Sequence, residues 1–259
     1  MKAALLKGLN QFEIETIEKP IPKEHEVLVK IKAAGICGSD IHKMQNEWKY
    51  ELPMVMGHEF SGVIESIGSK VKRILIGDRV VVAPLIPCHE CVYCESGKYQ
   101  LCEDYTMIGS HRYGGFEEYV TVPEENVINI GESISFEEAA MIEPLAVAAH
   151  GVMGLDPKIG DTVAVFGLGT IGILTVQWLR LTGVKKIIGI DIESNKINEA
   201  KKYGVTDTIN SLEESLEERI FKLTDDLGVD IAIECAGSKI TEEQCLLITK
   251  KGGKIGYQG

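Results

Sequence analysis

The 259-residue chain lacks any apolar run long enough to span a bilayer, which excludes a membrane-spanning helix. It also lacks positive charge: 27 Lys and Arg stand against 39 Asp and Glu, a net charge of −12. That balance argues against holding nucleic acid or anionic lipid by bulk electrostatics, but leaves room for a small cationic pocket. The N-terminal Met1-Lys-Ala-Ala-Leu-Leu-Lys7 turns polar too soon for a secretory signal. A cytoplasmic protein with no nucleic-acid or membrane partner is therefore expected. An even-count disulfide framework is missing too. Cys37, Cys235 and Cys245 lie outside a cluster of four cysteines, and in a reducing compartment such a cluster points to metal.

What is present fits a globular protein with a real core: 44% hydrophobic and 25% charged residues, in a length sufficient for two domains. The segment 1–151 reads as short strands. Phe12, Ile14 and Ile17 roughly alternate with polar residues, and Val27, Val29 and Ile31 alternate with Leu28, Lys30 and Lys32. Further β-rich runs cover 60–67, 79–85 and 116–122, with Gly68 and Gly77 as breakers. Many short strands and few helices suggest a small, partly open barrel.

Within this segment, Gly35 to Glu59 concentrates chemistry: Cys37, Ser39, His42, His58 and Glu59. Thiolate, imidazole and carboxylate are ligand types that zinc accepts. A lone cysteine or histidine there would more often be a core residue; the grouping argues for half of a catalytic metal site. Glu143 supplies a carboxylate in an otherwise apolar stretch. Ser135 and Glu138 form a capping box. The Glu143-Pro144 step should then break that helix, with Pro144 opening the next as its first residue. An acid so placed is costly unless it is paired, caps the helix or binds metal. Cys88, Cys91, Cys94 and Cys102 can close a tetrahedron around a structural zinc, with a four-iron cluster as the rival use. Glu90, Glu95, Glu103 and Asp104 nearby disfavour a DNA-binding finger.

From Asp161 the pattern becomes alternating strand and helix. An apolar strand, 162–166, leads straight into Gly167-Leu-Gly169-Thr170-Ile171-Gly172 and an apolar helix through Leu181. The next strand, 185–190, ends in Asp191. This is the dinucleotide fingerprint in its required context. Gly167 permits the tight turn, Gly169 lets backbone approach a pyrophosphate, and Gly172 lets helix and strand pack closely. Asp191 is expected to accept from both ribose hydroxyls. With no arginine in Ile192-Glu193-Ser194, NAD is favoured over NADP. Strands at 205–209, 229–234 and 254–257, with helices near 214–227 and 241–250, complete five parallel strands.

With these residues in hand, the whole chain resembles the zinc-dependent medium-chain alcohol dehydrogenases. Within that family it is most similar to the galactitol-1-phosphate 5-dehydrogenases and their sorbitol dehydrogenase relatives. The resemblance rests on AAGICGSDIH, GHEFSG, PLIPCHECVYC with its later cysteine, IGSHRYGGFEEY, MIEPLAVAAHG and FGLGTIG. It implies a GroES-like catalytic domain over 1–151 and a NAD-binding Rossmann domain over 152–259. It implies two zinc ions per chain. The catalytic one would be held by Cys37, His58 and Glu143, with Glu59 approaching or exchanging; the structural one by Cys88, Cys91, Cys94 and Cys102. Ser39 and His42 match a proton relay. The implied reaction passes a hydride from a secondary alcohol of a polyol or polyol phosphate, galactitol 1-phosphate favoured, to NAD⁺. Lys43, His111 and Arg112 are the nearest cations in sequence for a substrate phosphate, though each reads more readily as a solvated surface residue. Family members run past Gly259, so a sixth strand and the homo-oligomer contacts it builds (dimer or tetramer) are expected to be missing. That leaves open an inactive zinc-stabilised NAD-binding or interaction protein, or a sorbitol, threonine or other polyol dehydrogenase. A metal-free quinone reductase conflicts with Cys37, His58 and Glu143.

Overall fold

Period-two alternation sets the first part of the molecule. In the computed structural model, which describes residues 1–46 and 51–259, residues Met1–Glu143 and Pro144–Gly259 form two units. In the first, β1 (Lys2–Gly8), β2 (Gln11–Thr16), β3 (Glu26–Ala34), β4 (Met54–Val55), β5 (Phe60–Ile67), β6 (Arg79–Val82), β7 (Leu85–Ile86), β8 (Thr106–Met107), β9 (Tyr119–Pro123) and β10 (Val127–Asn129) build the sheets. One helix, α1 (Gly38–Gln45), follows β3. A five-stranded antiparallel sheet runs β10-β6-β5-β3-β9, a three-stranded one β2-β1-β4, and β7 pairs with β8. The core gathers Val27, Val29, Phe60, Ile64, Val80 and Val122 from neighbouring strands.

Two sequence expectations shift here. The run expected over 116–122 becomes a strand only from Tyr119, because Phe116 instead donates its N–H to the Met56 carbonyl (2.9 Å). In β2 the apolar alternation faces outward: Ile14 is 76% exposed, since β2 is an edge strand paired only with β1 among the described residues.

The helical connection also differs. Beyond a short helix α2 (Val92–Glu95), α3 (Phe136–Ala140) is capped by Ser135, whose Oγ accepts from Glu138 N–H (3.1 Å) while Glu138 accepts from Ser135 N–H (2.8 Å). The break falls at Met141, and α4 (Ile142–Leu155) starts before Glu143. Pro144 is thus its third residue rather than its first. A first-turn N–H has no intrahelical partner, so proline is tolerated there as well.

In the second unit β11 (Thr162–Phe166), α5 (Thr170–Arg180), β12 (Lys186–Asp191), α6 (Ser194–Ala200), β13 (Asp207–Asn210), α7 (Leu216–Leu223), β14 (Val229–Glu234), α8 (Lys239–Ile248) and β15 (Thr249–Tyr257) alternate. The sheet is parallel, in the order β13-β12-β11-β14-β15. Both faces are buried, which is why β11 reads as an unbroken apolar run. Ala164 and Phe166 pack on one side, Val163 and Val165 on the other. β15 begins five residues before the expected Lys254, with a register irregularity between Thr249 and Lys254. The architecture is a GroES-like β unit and a five-stranded Rossmann sheet. Among the described residues no helix is long and apolar enough to cross a membrane.

Candidate functional site

Cys37 is placed by the end of β3 and the start of α1. As N-cap of α1 it holds extended backbone (φ −75°, ψ 151°), and its N–H donates to Asp40 Oδ2 (3.1 Å). His58 and Glu59 lie immediately before β5. The Gly35 N–H donates to the Glu59 carbonyl (2.7 Å), stitching the two segments side by side. Gly35 is required at that seam: a Cβ on it would sit 2.3 Å from Glu59 Oε2.

The result is a compact donor set. One ligand atom each from Cys37, His58 and Glu59 falls within 4.8 Å of the others. Glu143 does not join such a group among the described residues, yet its carboxyl is near enough to feel the charges of Glu59 and Asp40. Burial, with those charges added, pushes Glu143 up to about 7. Glu59 is raised as well, by burial and then by Asp40. Burial raises the Cys37 thiol too, while hydrogen bonds from the Ser39 hydroxyl and N–H favour its thiolate. Ser39 therefore stands against the sulfur; His42 is exposed on α1.

Asp40 escaped the sequence reading. It is 2% exposed, with Oδ1 lying 3.7 Å from His58 Nδ1 and 3.8 Å from Lys43 Nζ. Neither Asp40 Oδ1 nor His58 Nδ1 has a hydrogen-bond partner, although both are buried. The available signal was its position three residues after Cys37, the reciprocal slot of a capping box. Three carboxylates, a thiol and an imidazole crowd together here, with desolvation holding His58 below its usual range. Such a set fits a divalent cation. A metal on Nε2 would leave Nδ1–H directed at Asp40 and would lower the carboxylates that now repel one another.

The three cations considered for a substrate phosphate fare differently. Lys43 is not a surface residue: it is 7% exposed, and its Nζ donates to Ser110 Oγ (2.6 Å) and the Gly109 carbonyl (3.3 Å). Arg112 is engaged by Glu26 Oε1 (2.9 Å) and the Thr121 carbonyl (2.8 Å). His111 is exposed and accepts from the Met107 N–H through Nδ1 (3.1 Å). Beside α1 lies a cavity of about 600 Å³ with almost wholly apolar walls, among them Ile36, Ile41, Met44 and Phe116, and with Asp40 on its lining.

The four cysteines 88, 91, 94 and 102 also converge within 4.8 Å, with Cys88 and Cys94 sulfurs 3.8 Å apart and the Cys88 N–H 3.2 Å from Cys102 Sγ. Backbone N–H groups of Glu103 and Cys94 favour the Cys91 thiolate, whereas burial and neighbouring sulfurs raise Cys94. Cys235 and Cys245 belong to the packing of the second unit.

At the glycine-rich turn Gly167 has φ +80°, and a Cβ on Gly172 would lie 1.8 Å from the Gly167 carbonyl oxygen. A Cβ on Gly169 would meet nothing within 4 Å, so that face is open. Gly169 caps α5, whose first residues Thr170, Ile171 and Gly172 have N–H groups without helical acceptors. Asp191 does more than the sequence reading foresaw. Its Oδ2 accepts from Leu168 N–H (2.7 Å), and its Oδ1 from Ile192 and Glu193 N–H (2.7 and 2.9 Å). It thereby braces the turn, with capacity left for about one further donor. α6 starts at Ser194, with Glu193 at the cap position.

Comparison with known proteins accords with this geometry. Residues 23–132 match the alcohol dehydrogenase GroES-like domain, and residues 170–259 the zinc-binding dehydrogenase model. Sorbitol dehydrogenase of Bacillus subtilis is 37% identical over 264 residues, covering 100% of this chain and 75% of that protein. Galactitol-1-phosphate dehydrogenase of Escherichia coli superposes with a TM-score of 0.94 at 34% identity, covering 100% of this chain and 75% of the other. A protein of Sinorhizobium meliloti 1021 solved with NADP superposes with a TM-score of 0.96 at 36% identity, over 100% of this chain and 76% of that one. On fold, motifs and relatives together, the chain belongs to the zinc-binding, medium-chain family of alcohol and polyol dehydrogenases.

Proposed function

We propose that this chain takes part in hydride transfer between a secondary alcohol of a polyol or polyol phosphate and NAD⁺, with Cys37, His58 and Glu59 as the metal-binding core and Glu143 as an exchanging fourth group. The observation that carries the reading is the convergence of those three donor atoms within 4.8 Å, beside two carboxylates that repel each other in a buried setting. A zinc ion, when bound, supplies Lewis acidity that eases loss of the alcohol proton. The chain's own side chains do the rest. Asp40 Oδ1, 3.7 Å from His58 Nδ1, would accept from that nitrogen once a metal took the other, and so would fix the ring's orientation. Ser39 stabilises the Cys37 thiolate and, with exposed His42 on the same helix, offers a proton route outward. The second zinc belongs to Cys88, Cys91, Cys94 and Cys102, where four thiolates leave no open position.

For the cofactor, the negative charge of Asp191 and the lack of an arginine at 192–194 favour a free 2′-hydroxyl over a 2′-phosphate. For the substrate, buried Lys43 lies 3.8 Å from Asp40 beside the Cys37–His58 pair, which supports a phosphate-bearing polyol such as galactitol 1-phosphate. The apolar cavity beside α1 favours a second reading, a less polar secondary alcohol or diol. The test follows NADH formation with sorbitol, xylitol, galactitol 1-phosphate and 2,3-butanediol, each with NAD⁺ and NADP⁺. Turnover with a polyol and NAD⁺, abolished in Cys37→Ser, is expected. Turnover that survives Cys37→Ser would overturn the metal assignment, and a preference for butanediol would select the second reading.

A further inference from the structure

A separate cleft of about 270 Å³ opens in the first unit, walled by Ile17, Pro20, Tyr113 and Val120. Its polar features are Glu18, Glu117, Arg112, Thr121 and the amino-terminal end at Met1. Arg112 is committed to Glu26 (2.9 Å), and the Met1 ammonium donates to the Ile17 carbonyl (2.7 Å). Glu117 is different. It is only 8% exposed, it lines the cleft, and its Oε2 is enclosed without any hydrogen-bond partner. A buried carboxyl left without a donor costs free energy on the order of 1–3 kcal/mol. Because Oε2 has almost no accessible surface, a ligand in the cleft removes that cost by drawing the carboxyl round to meet its donor.

We propose that this cleft is a binding site for a small primary alkylammonium ion, its NH₃⁺ group donating to Glu117 and its alkyl body lying along Ile17, Pro20 and Val120. The chemistry follows from the walls. The Glu117 carboxyl lines the cleft and lacks a donor at one oxygen, both intrinsic cations already have oxygen partners, and Glu18 adds a second acid at the same cleft. Apart from Thr121, the remaining wall is aliphatic or aromatic, which suits methylene groups. Burial alone pushes the Glu117 carboxyl up to about 8, so it holds its proton at neutral pH. An arriving ammonium would therefore ionise it, and one proton would leave to the buffer for each amine bound. The site owes nothing to the metal centre or to the dehydrogenase reading.

Calorimetric titration of the whole protein with n-butylammonium chloride at pH 7, in buffers of different ionisation enthalpy, tests the idea. Saturable binding with close to one proton released is expected. Glu117→Gln keeps the volume and neutrality of the protonated acid, and should weaken binding at least about tenfold. Equal binding by n-butanol, equal binding by Glu117→Gln, or binding of the native protein without proton release would each overturn the proposal. The last of these readings needs no variant, so it stands even if Glu117→Gln folds poorly.

Discussion

At the scale of single residues, the most consequential side chain is Asp40, which touches the Cys37 backbone, faces His58 and approaches Lys43 without coordinating anything itself. Such a group acts on a metal through the ligand it orients. Asp40→Asn can still accept from the Cys37 N–H, so the fold of α1 should survive. His58 loses its charged neighbour, and metal affinity at that centre should fall about 10–100-fold, read by competition with a chromogenic chelator. Glu117 makes a second prediction at this scale, on stability against pH. Its folded carboxyl titrates near 8 against an ordinary value of 4.5, because burial disfavours the charged form. Between those two pH values the folded protein holds a proton that the unfolded chain has released. Stability is therefore lost steadily as pH rises from about 4.5 to about 8, and levels off above. Urea midpoints measured across that range should show the decline, and Glu117→Gln should flatten its contribution. An unchanged slope in the variant would show that Glu117 is solvated.

At the scale of elements, legibility followed how local the determining forces were. β11 and the turn after it could be read from sequence because a buried parallel strand is apolar throughout, and because Gly172 has no room for a side chain against Gly167. The clustering of Cys88, Cys91, Cys94 and Cys102 was equally plain, since short spacing alone limits how far apart the sulfurs can be. The edges of elements were harder. The break between α3 and α4 falls at Met141 because proline is tolerated throughout the first helical turn, where its missing N–H has no intrahelical partner, so Glu143-Pro144 underdetermines where the helix begins. β2 carries apolar residues outward, a pattern that period-two reasoning assigns to the wrong face when a strand lies at a sheet edge. Lys43 was read as surface because lysine usually is, and its burial depends on Ser110 and Gly109, 67 and 66 residues away. Asp40 was missed for a related reason. Its capping position is local, but its role arises only when His58 is brought alongside by the pairing of Gly35 with Glu59.

At the scale of the whole molecule, the candidate chemistry divides cleanly along the chain. Every proposed metal-binding side chain, from Cys37 to Glu143, falls in the unit Met1–Glu143, and the glycine-rich turn with Asp191 falls in Pro144–Gly259. Each unit has its own core: antiparallel strands around Phe60 in one, and the two faces of a parallel sheet in the other. The turn that should receive a dinucleotide is braced by Asp191 and by strand register, all within Pro144–Gly259. Metal removal should therefore separate two properties. The native protein should contain two zinc equivalents by elemental analysis. Dialysis against a strong chelator should abolish alcohol-dependent NADH formation and loosen the segment around Cys88–Cys102, seen as faster amide exchange there. NADH binding, followed by nucleotide fluorescence, should persist within about threefold, since the turn is held by Asp191 and by strand register inside its own unit. If stripping the metal also destroys NADH binding, the two functions are coupled in a way that the separate cores do not explain. A measured content of one zinc would assign the metal to the four-cysteine lobe and leave Cys37, His58 and Glu59 without one.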